Sequence, residues 1–379
     1  MTEDYLVGAI TQSIERSRAL SAVIDKPYAS AYDGLRTICS ERLRSVVRLL
    51  RELERETIVD ESLQTPLRLK RFRRATERLN AIETIGATAL ANADTGSSNL
   101  TAIVRGVCEE LRYPIVAPTV ANMSSSHLCI YSDFNLVLAP LLEDQFLLHL
   151  PDLYHELAHP FLADQNVDRT ALDPYREARR KCLVSIKRYF GEQRHLALRQ
   201  REANEVTIYL HLWEWLWRNY WLEEFFCDAF AALTCGPAYG WAHIHLAAKT
   251  IDDLFDTPTI GRREHPADDA RLRLILIALR RRGFSEQADD VLVRWSGLVE
   301  TVGERMPPEY LRCYPEDLLE LIVVQVQDSI AEMNVTLATP GAMTSWPTRL
   351  GEAWTAFWEN PIGYAAWEKN ALKLSVAVA

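Results

Sequence analysis

His155, Glu156 and His159, within Tyr154-His155-Glu156-Leu157-Ala158-His159-Pro160, have the residue types and the spacing for metal-assisted hydrolysis. On a helix, residues four apart lie on one face a turn apart, so the two imidazoles can aim ring nitrogens at a single ion and supply half of a tetrahedral site. Glu156 lies one step round from the first histidine. It can contact a metal-bound water without ligating the metal, which is where a general base belongs. The plainer alternative is an amphipathic helix with two surface histidines.

A hydrolytic zinc site needs three protein ligands and one open position, so a further ligand is expected downstream. Glu224 is the strongest candidate, in Glu223-Glu224-Phe225-Phe226-Cys227-Asp228, a helix-forming stretch where Glu224 and Asp228 share a face. Glu224 would ligate, while Asp228 would accept a hydrogen bond from the ring N–H of His155 or His159 and fix its tautomer. Glu223 is expected to point elsewhere, Cys227 reads as a buried thiol, and His243 and His245 read as packing or polar-network residues. In His265-Pro266-Ala267-Asp268-Asp269-Ala270-Arg271, at the start of a predicted helix, His265 could donate to a developing oxyanion and Arg271 could orient a carboxylate. That stretch also fits a helix N-terminus with a capping histidine and a surface arginine. Tyr239, in Gly236-Pro237-Ala238-Tyr239-Gly240, is expected in a glycine-flanked loop, either reaching the cleft to help hold the oxyanion or serving structure. Two histidines and one carboxylate suit zinc, although the same ligands accept cobalt or manganese.

The elements that must position these groups read as mostly helical. Leu35, Cys39, Leu43, Val46, Leu50 and Leu53 recur at steps of three and four, as do Leu69, Phe72, Leu79 and Ile82. The arginines on the outer faces of these two helices are interleaved in the first with Glu41, Glu52, Glu54 and Glu56 and with no aromatics, which favours a solvated hairpin with local charge pairing over a nucleic-acid surface. Asp94 to Asn99 is rich in loop formers and marks a candidate junction. The only strand-like region runs from Ile115 to Ala139, interrupted by the turn-rich Asn122 to Ser126; it is either a core hairpin or a sheet edge able to bind an extended peptide. Glu143 to Ala163 is helical in pattern apart from Pro151, and Pro174 to Ala232 is almost wholly helix-forming, with the aromatics of Leu212 to Trp221 as core. Further helices are predicted near 266–282, 286–302, 316–333 and 350–369.

The 379 residues include 48% hydrophobic and 25% charged side chains, ordinary values for a folded chain of two or three subdomains. A net charge of -10 argues against a nucleic-acid-binding protein as a whole, without excluding a local basic surface. Seven scattered cysteines with no CxxC pair disfavour a disulfide framework or a zinc ribbon and fit a reducing cytoplasm. The acidic start Met1-Thr2-Glu3-Asp4 is unlike a signal peptide, and no stretch has the length and apolarity of a membrane span.

Taken in order, HELAH, EFFCD and HPADDAR resemble the gluzincin metallopeptidases, specifically the CAAX prenyl endopeptidases and HtpX-like proteases, over about residues 128–282. The resemblance implies zinc on His155, His159 and Glu224, water activation by Glu156, and a supporting segment from His265 to Arg271. Two departures stand out: members of that family often carry membrane helices, and Cys227 stands where a small residue is usual. The resulting expectation is a mainly α (α+β) chain with a zincin-like core and a small sheet next to the active-site helix. Its parts would be an N-terminal helical region (1–98), the core (99–284) and a C-terminal helical region (285–379). The expected function is a soluble zinc-dependent endopeptidase acting on a peptide or protein substrate, with no nucleic-acid partner and a possible regulatory protein partner through the flanks. The rival expectation is a helical regulatory protein whose zinc site is structural or vestigial, closed for instance by His243 or His245.

Overall fold

In the computed structural model of the chain, which describes residues 3–56, 61–93, 98–123, 128–140, 142–163, 170–249 and 253–376, the chain is 74% helical with one small three-stranded sheet. This is the mainly α architecture with a minor β part that the residue pattern predicts. The backbone divides into two compact units, Met1–Ala102 with Val116–Leu141, and Ile103–Ile115 with Leu142–Ala379.

The first unit contains α1 (Glu3–Ile24), α2 (Asp33–Arg55), α3 (Glu61–Ala81) and, after a wide π turn at Ile82–Ala87, α4 (Thr88–Ala91). Helix α2 buries Leu35, Cys39, Leu43, Val46, Leu50 and Leu53, the apolar set read from its periodicity, and packs on both α1 and α3. After α5 (Ser98–Leu111) come β1 (Thr119–Ala121), β2 (Cys129–Tyr131) and β3 (Leu136–Leu138). The third strand is central, parallel to β1 and antiparallel to β2, with Val137 opposite both Val120 and Ile130. Phe134, Leu136, Leu138 and Ala121 join the side chains of α1 to α4 in one core. Of the two turn-rich stretches singled out in the sequence, Asp94 to Ser97 and Ser124 to Ser126 lie outside the described residues.

Gly86 shows how tightly this unit closes. A Cβ at that position would overlap Cys39 Sγ and approach the Phe134 ring to 3.1 Å. Gly86→Ala is therefore expected to destabilise the protein by about 1–3 kcal/mol, the usual cost of overpacking a core. Chemical denaturation checks this; an unchanged midpoint would show that the π turn yields at little cost.

The second unit carries α6 (Asp152–Glu156), α7 (His159–Leu162), α8 (Asp173–Gln200), α9 (Asn204–Leu216), α10 (Leu222–Cys235), α11 (Pro237–Ala247), α12 (Asp268–Arg281) and α13 (Ser285–Val302). It ends with α14 (Tyr310–Cys313), α15 (Glu316–Glu332), α16 (Ser345–Glu359) and α17 (Tyr364–Val376). Every residue of α10 from Phe225 to Cys235 is buried, because α6, α11, α12 and α15 all pack against it. A helix apolar on all sides must sit at the centre, and α10 does. Trp213, Trp217 and Trp221, four apart, are core, as their density predicts. Their indole N–H groups donate to the carbonyls of Pro258 (2.7 Å), Cys313 (2.9 Å) and Arg263 (3.1 Å), so each of these three indole protons has an acceptor.

Two helix expectations are corrected. Glu143 to Ala163 begins with a short 3-10 turn and successive turns rather than a long helix. The stretch from Pro174 to Ala232 is almost wholly helical, as predicted, with one break after α8, where Arg201 takes a left-handed φ of 54°. The segment 350–369 is two helices, because Pro361 cannot continue α16. Helices α9 and α10 are joined by a second π turn at Trp217–Trp221, with helical backbone angles on both sides. Among the described residues, no helix is long and apolar enough to cross a membrane.

Candidate metal centre

Pro160 shapes the HExxH segment. It has no N–H to offer the Glu156 carbonyl, so the helix tightens there: Ala158 N–H bonds His155 O (3.0 Å) and Phe161 N–H bonds Ala158 O (3.1 Å). Leu157 and Ala158 keep right-handed angles, and His155 and His159 remain on one side, their ring centroids 5.1 Å apart. Both face α10.

The two imidazoles converge on one carboxylate. Glu224 Oε2 lies 3.4 Å from His155 Nε2, and Glu224 Oε1 lies 3.9 Å from His159 Nε2. Donors held about 2.0–2.1 Å from a tetrahedral ion are roughly 3.3–3.4 Å apart, so this spacing fits a metal set between them. The opposite nitrogens are tied down. His155 Nδ1 is 2.9 Å from Asp228 Oδ1 and 3.1 Å from the Tyr239 hydroxyl, and His159 Nδ1 is 3.1 Å from Glu223 Oε1. With Nδ1–H donating in each ring, it is Nε2 of each that faces the shared point, the atom that would ligate once its proton is displaced.

Asp228 is fully buried, and its oxygens are saturated. Arg271 donates through Nε to Oδ2 (2.8 Å) and through Nη2 to Oδ1 (2.7 Å), and the Tyr239 O–H donates to Oδ1 (2.5 Å). The expected pairing of Asp228 with a ligand histidine is thus with His155, and the carboxylate Arg271 orients is Asp228. Tyr239 differs from expectation. Gly236, at φ 76°, turns the chain directly from α10 into α11, so Tyr239 is a buried helical residue behind His155 and not part of a loop at the cleft. Glu223 also differs, since it reaches His159 instead of pointing away. A helical wheel separates Glu223 from Glu224, but the two histidines are a turn apart, and adjacent carboxylates straddle them.

His265 precedes α12, its side chain 64% exposed, with Nε2 3.9 Å from Glu224 Oε2, which puts it at the mouth of the centre. Glu156 is half-buried at the end of α6; burial works against the His159 imidazolium, while the hydrogen bond to Glu223 and, less strongly, the Glu156 charge favour it. Cys227 is a buried thiol, as its apolar neighbours predict. Its Sγ and one nitrogen each of His155 and His159 lie within 4.8 Å of one another, so His155, His159 and Cys227 could hold a metal ion. His243 and His245 are engaged elsewhere: His243 Nε2–H donates to Asp268 O (2.8 Å), and His245 packs edge-on against Trp354.

The electrostatics favour positive charge at the shared point. Burial works against the His155 imidazolium, yet hydrogen bonds to Asp228 and Glu224 raise its pKa to about 10. Burial likewise disfavours ionised Glu224, but the His155 hydrogen bond and the nearby His155, His159 and Arg271 charges bring it down to about 2. Against the same penalty, Arg271 holds Asp228 well below the usual carboxylate range, and Asp228 holds Arg271 well above its own ordinary value. Burial and the Asp228 charge push Tyr239 far up, so it stays a hydrogen-bond donor. Burial and the Glu224 charge do the same to the Cys227 thiol.

No protein-family model, no curated protein and no solved structure matches this chain.

Proposed function

We propose that the chain is a zinc-dependent hydrolase of peptide bonds, with His155, His159 and Glu224 as metal ligands. The observation that carries the reading is the convergence of two Nε2 atoms on Glu224 while both Nδ1 atoms are anchored on carboxylates. Bound there, zinc would supply Lewis-acid polarisation of a carbonyl and lower the pKa of a water. The chain's own groups do the rest. Glu156 takes the proton of the attacking water and returns it to the leaving amine, and His265, at the mouth, donates to the developing oxyanion. Tyr239 and Arg271 act through Asp228, holding it so that His155 keeps one tautomer and one orientation. The likeness of the three motifs to the gluzincins supports peptide hydrolysis over other hydrolytic chemistry.

A second reading has one specific observation behind it, the proximity of Cys227 Sγ to both histidines. Four protein ligands would close the site, and a closed zinc site serves structure or regulation. Elemental analysis of the purified chain beside Glu224→Ala, each then incubated with an unfolded protein with and without chelator, separates the two. Near-stoichiometric zinc in the parent, lost in the variant together with chelator-sensitive cleavage, is the expected result. Zinc with no cleavage favours the closed site, and no zinc ends the metallopeptidase reading.

A further inference from the structure

Between α11 and α12 the described chain from Asp253 to Ala267 has no helix or strand, and residues 259–265 of it are all exposed. His265 is the last of these, yet its Nε2 lies 3.9 Å from Glu224 Oε2. An exposed segment without a backbone ladder has many conformations to lose, so a fixed place for its end needs a cause. Buried aromatic side chains supply it through their polar atoms. Tyr314, fully buried, accepts the Ala267 N–H (3.2 Å) and donates to Asp256 O (3.1 Å), which closes the base of the segment. The Trp213 indole N–H holds Pro258 O at 2.7 Å. The Trp221 indole N–H donates to Arg263 O at 3.1 Å, two residues before His265. Among the described residues, this is the only hydrogen bond from a buried side chain to the backbone of 259–265. The Trp221 ring is itself fixed, 0% exposed and 4.9 Å from the Tyr314 ring.

A buried indole needs an acceptor, but it can find one in the interior, as Trp217 does at Cys313 O. Arg263 is an exposed residue whose carbonyl water could serve as well, so the bond gives Arg263 little that solvent would not. Its consequence is geometric. Trp221 precedes Glu224 by three residues of continuous helix, so one turn carries both a metal ligand and the grip on the segment that ends in His265. The separation of His265 from Glu224 is thereby set from within a single rigid element.

We infer that Trp221 is a positioning residue for the hydrolytic reaction, holding His265 where the oxyanion develops. This role rests on the proposed reading of His265 as the oxyanion donor. Trp221→Phe keeps the ring and removes the N–H; trypsin reads the grip, and kinetics read its consequence. Limited tryptic digestion, which needs no peptidase activity of the chain itself, should cut after Arg262 and Arg263 roughly tenfold faster in the folded variant, the equivalent of one lost hydrogen bond. In zinc-loaded protein kcat should fall roughly tenfold with KM little changed, because a displaced donor costs contact with the transition state and not with the bound substrate. In a His265→Ala background, itself lower in kcat by about 10²–10³, Trp221→Phe should have no further effect. A tryptophan with a merely structural role would lower kcat by the same factor in both backgrounds. Circular dichroism and zinc content check that the variant is intact, and Trp213→Phe, which releases Pro258 O, repeats the comparison if Trp221→Phe does not fold. Unchanged tryptic cutting, or an equal loss of kcat with and without His265, would overturn the positioning role. Peptide cleavage at the parental rate by His265→Ala would instead overturn the reading of His265, and the role with it, even where faster cutting shows that the grip exists.

Discussion

Asp228→Ala is expected to lower the stability of the metal-free protein by about 3–5 kcal/mol, the cost of leaving one member of a buried ion pair without its partner. Arg271, only 14% exposed, would lose both halves of its fork, and Tyr239 and His155 would each lose an acceptor. Zinc affinity should fall about 10–100-fold as well, because His155 is no longer held in one orientation. The double variant Asp228→Ala with Arg271→Met distinguishes the two effects. Removing the stranded guanidinium should restore part of the stability, while metal affinity stays low. Denaturant midpoints and zinc titrations read the two quantities separately. If the double variant were no more stable than the single one, the buried charge would not be what makes Asp228 costly to remove.

Glu156→Gln should leave zinc content unchanged and reduce the rate of peptide cleavage by about 10²–10⁴-fold, the range for losing a general acid–base group. Glutamine keeps the shape and the hydrogen-bonding length of the side chain but cannot accept and return a proton. In this mechanism Glu156 contacts the attacking water and not the metal, so the metal should be retained. Cleavage at the parental rate by a zinc-loaded Glu156→Gln protein would remove Glu156 from the mechanism.

The residue pattern is most informative where one face of a helix decides burial. In α2, six apolar positions read from spacing alone are the six that are buried, and the HExxH spacing brings two imidazoles to one side. Such patterns are local, and a single helical period expresses them. Glu223 and Tyr239 differ from expectation because their places depend on what α10 packs against. A helical wheel specifies the direction of a side chain relative to its own axis only. Whether Glu223 meets His159 depends on the crossing of α10 with α6 and α7, which no local spacing encodes. The break at Pro361 was visible in the chain but was outweighed by the apolar periodicity around it. The charged face of α2 is solvated, as its interleaved signs predict, with Arg44, Arg48, Arg51 and Arg55 all exposed.

The π turn at Trp217–Trp221 bears on how the metal centre keeps its alignment. A π turn carries one more residue than the α-helical turn it replaces, and each α-helical residue advances the chain by about 100°. The phase of α10 is therefore offset from that of α9 by this single insertion. Three tryptophans straddle it, with Trp217 and Trp221 locked by their indole bonds at either end. A deletion of one residue here would regularise the helix and rotate Glu224 and Asp228 about 100° away from the histidines. The aromatic run thus acts as an angular key, setting which face of the central helix the imidazoles meet.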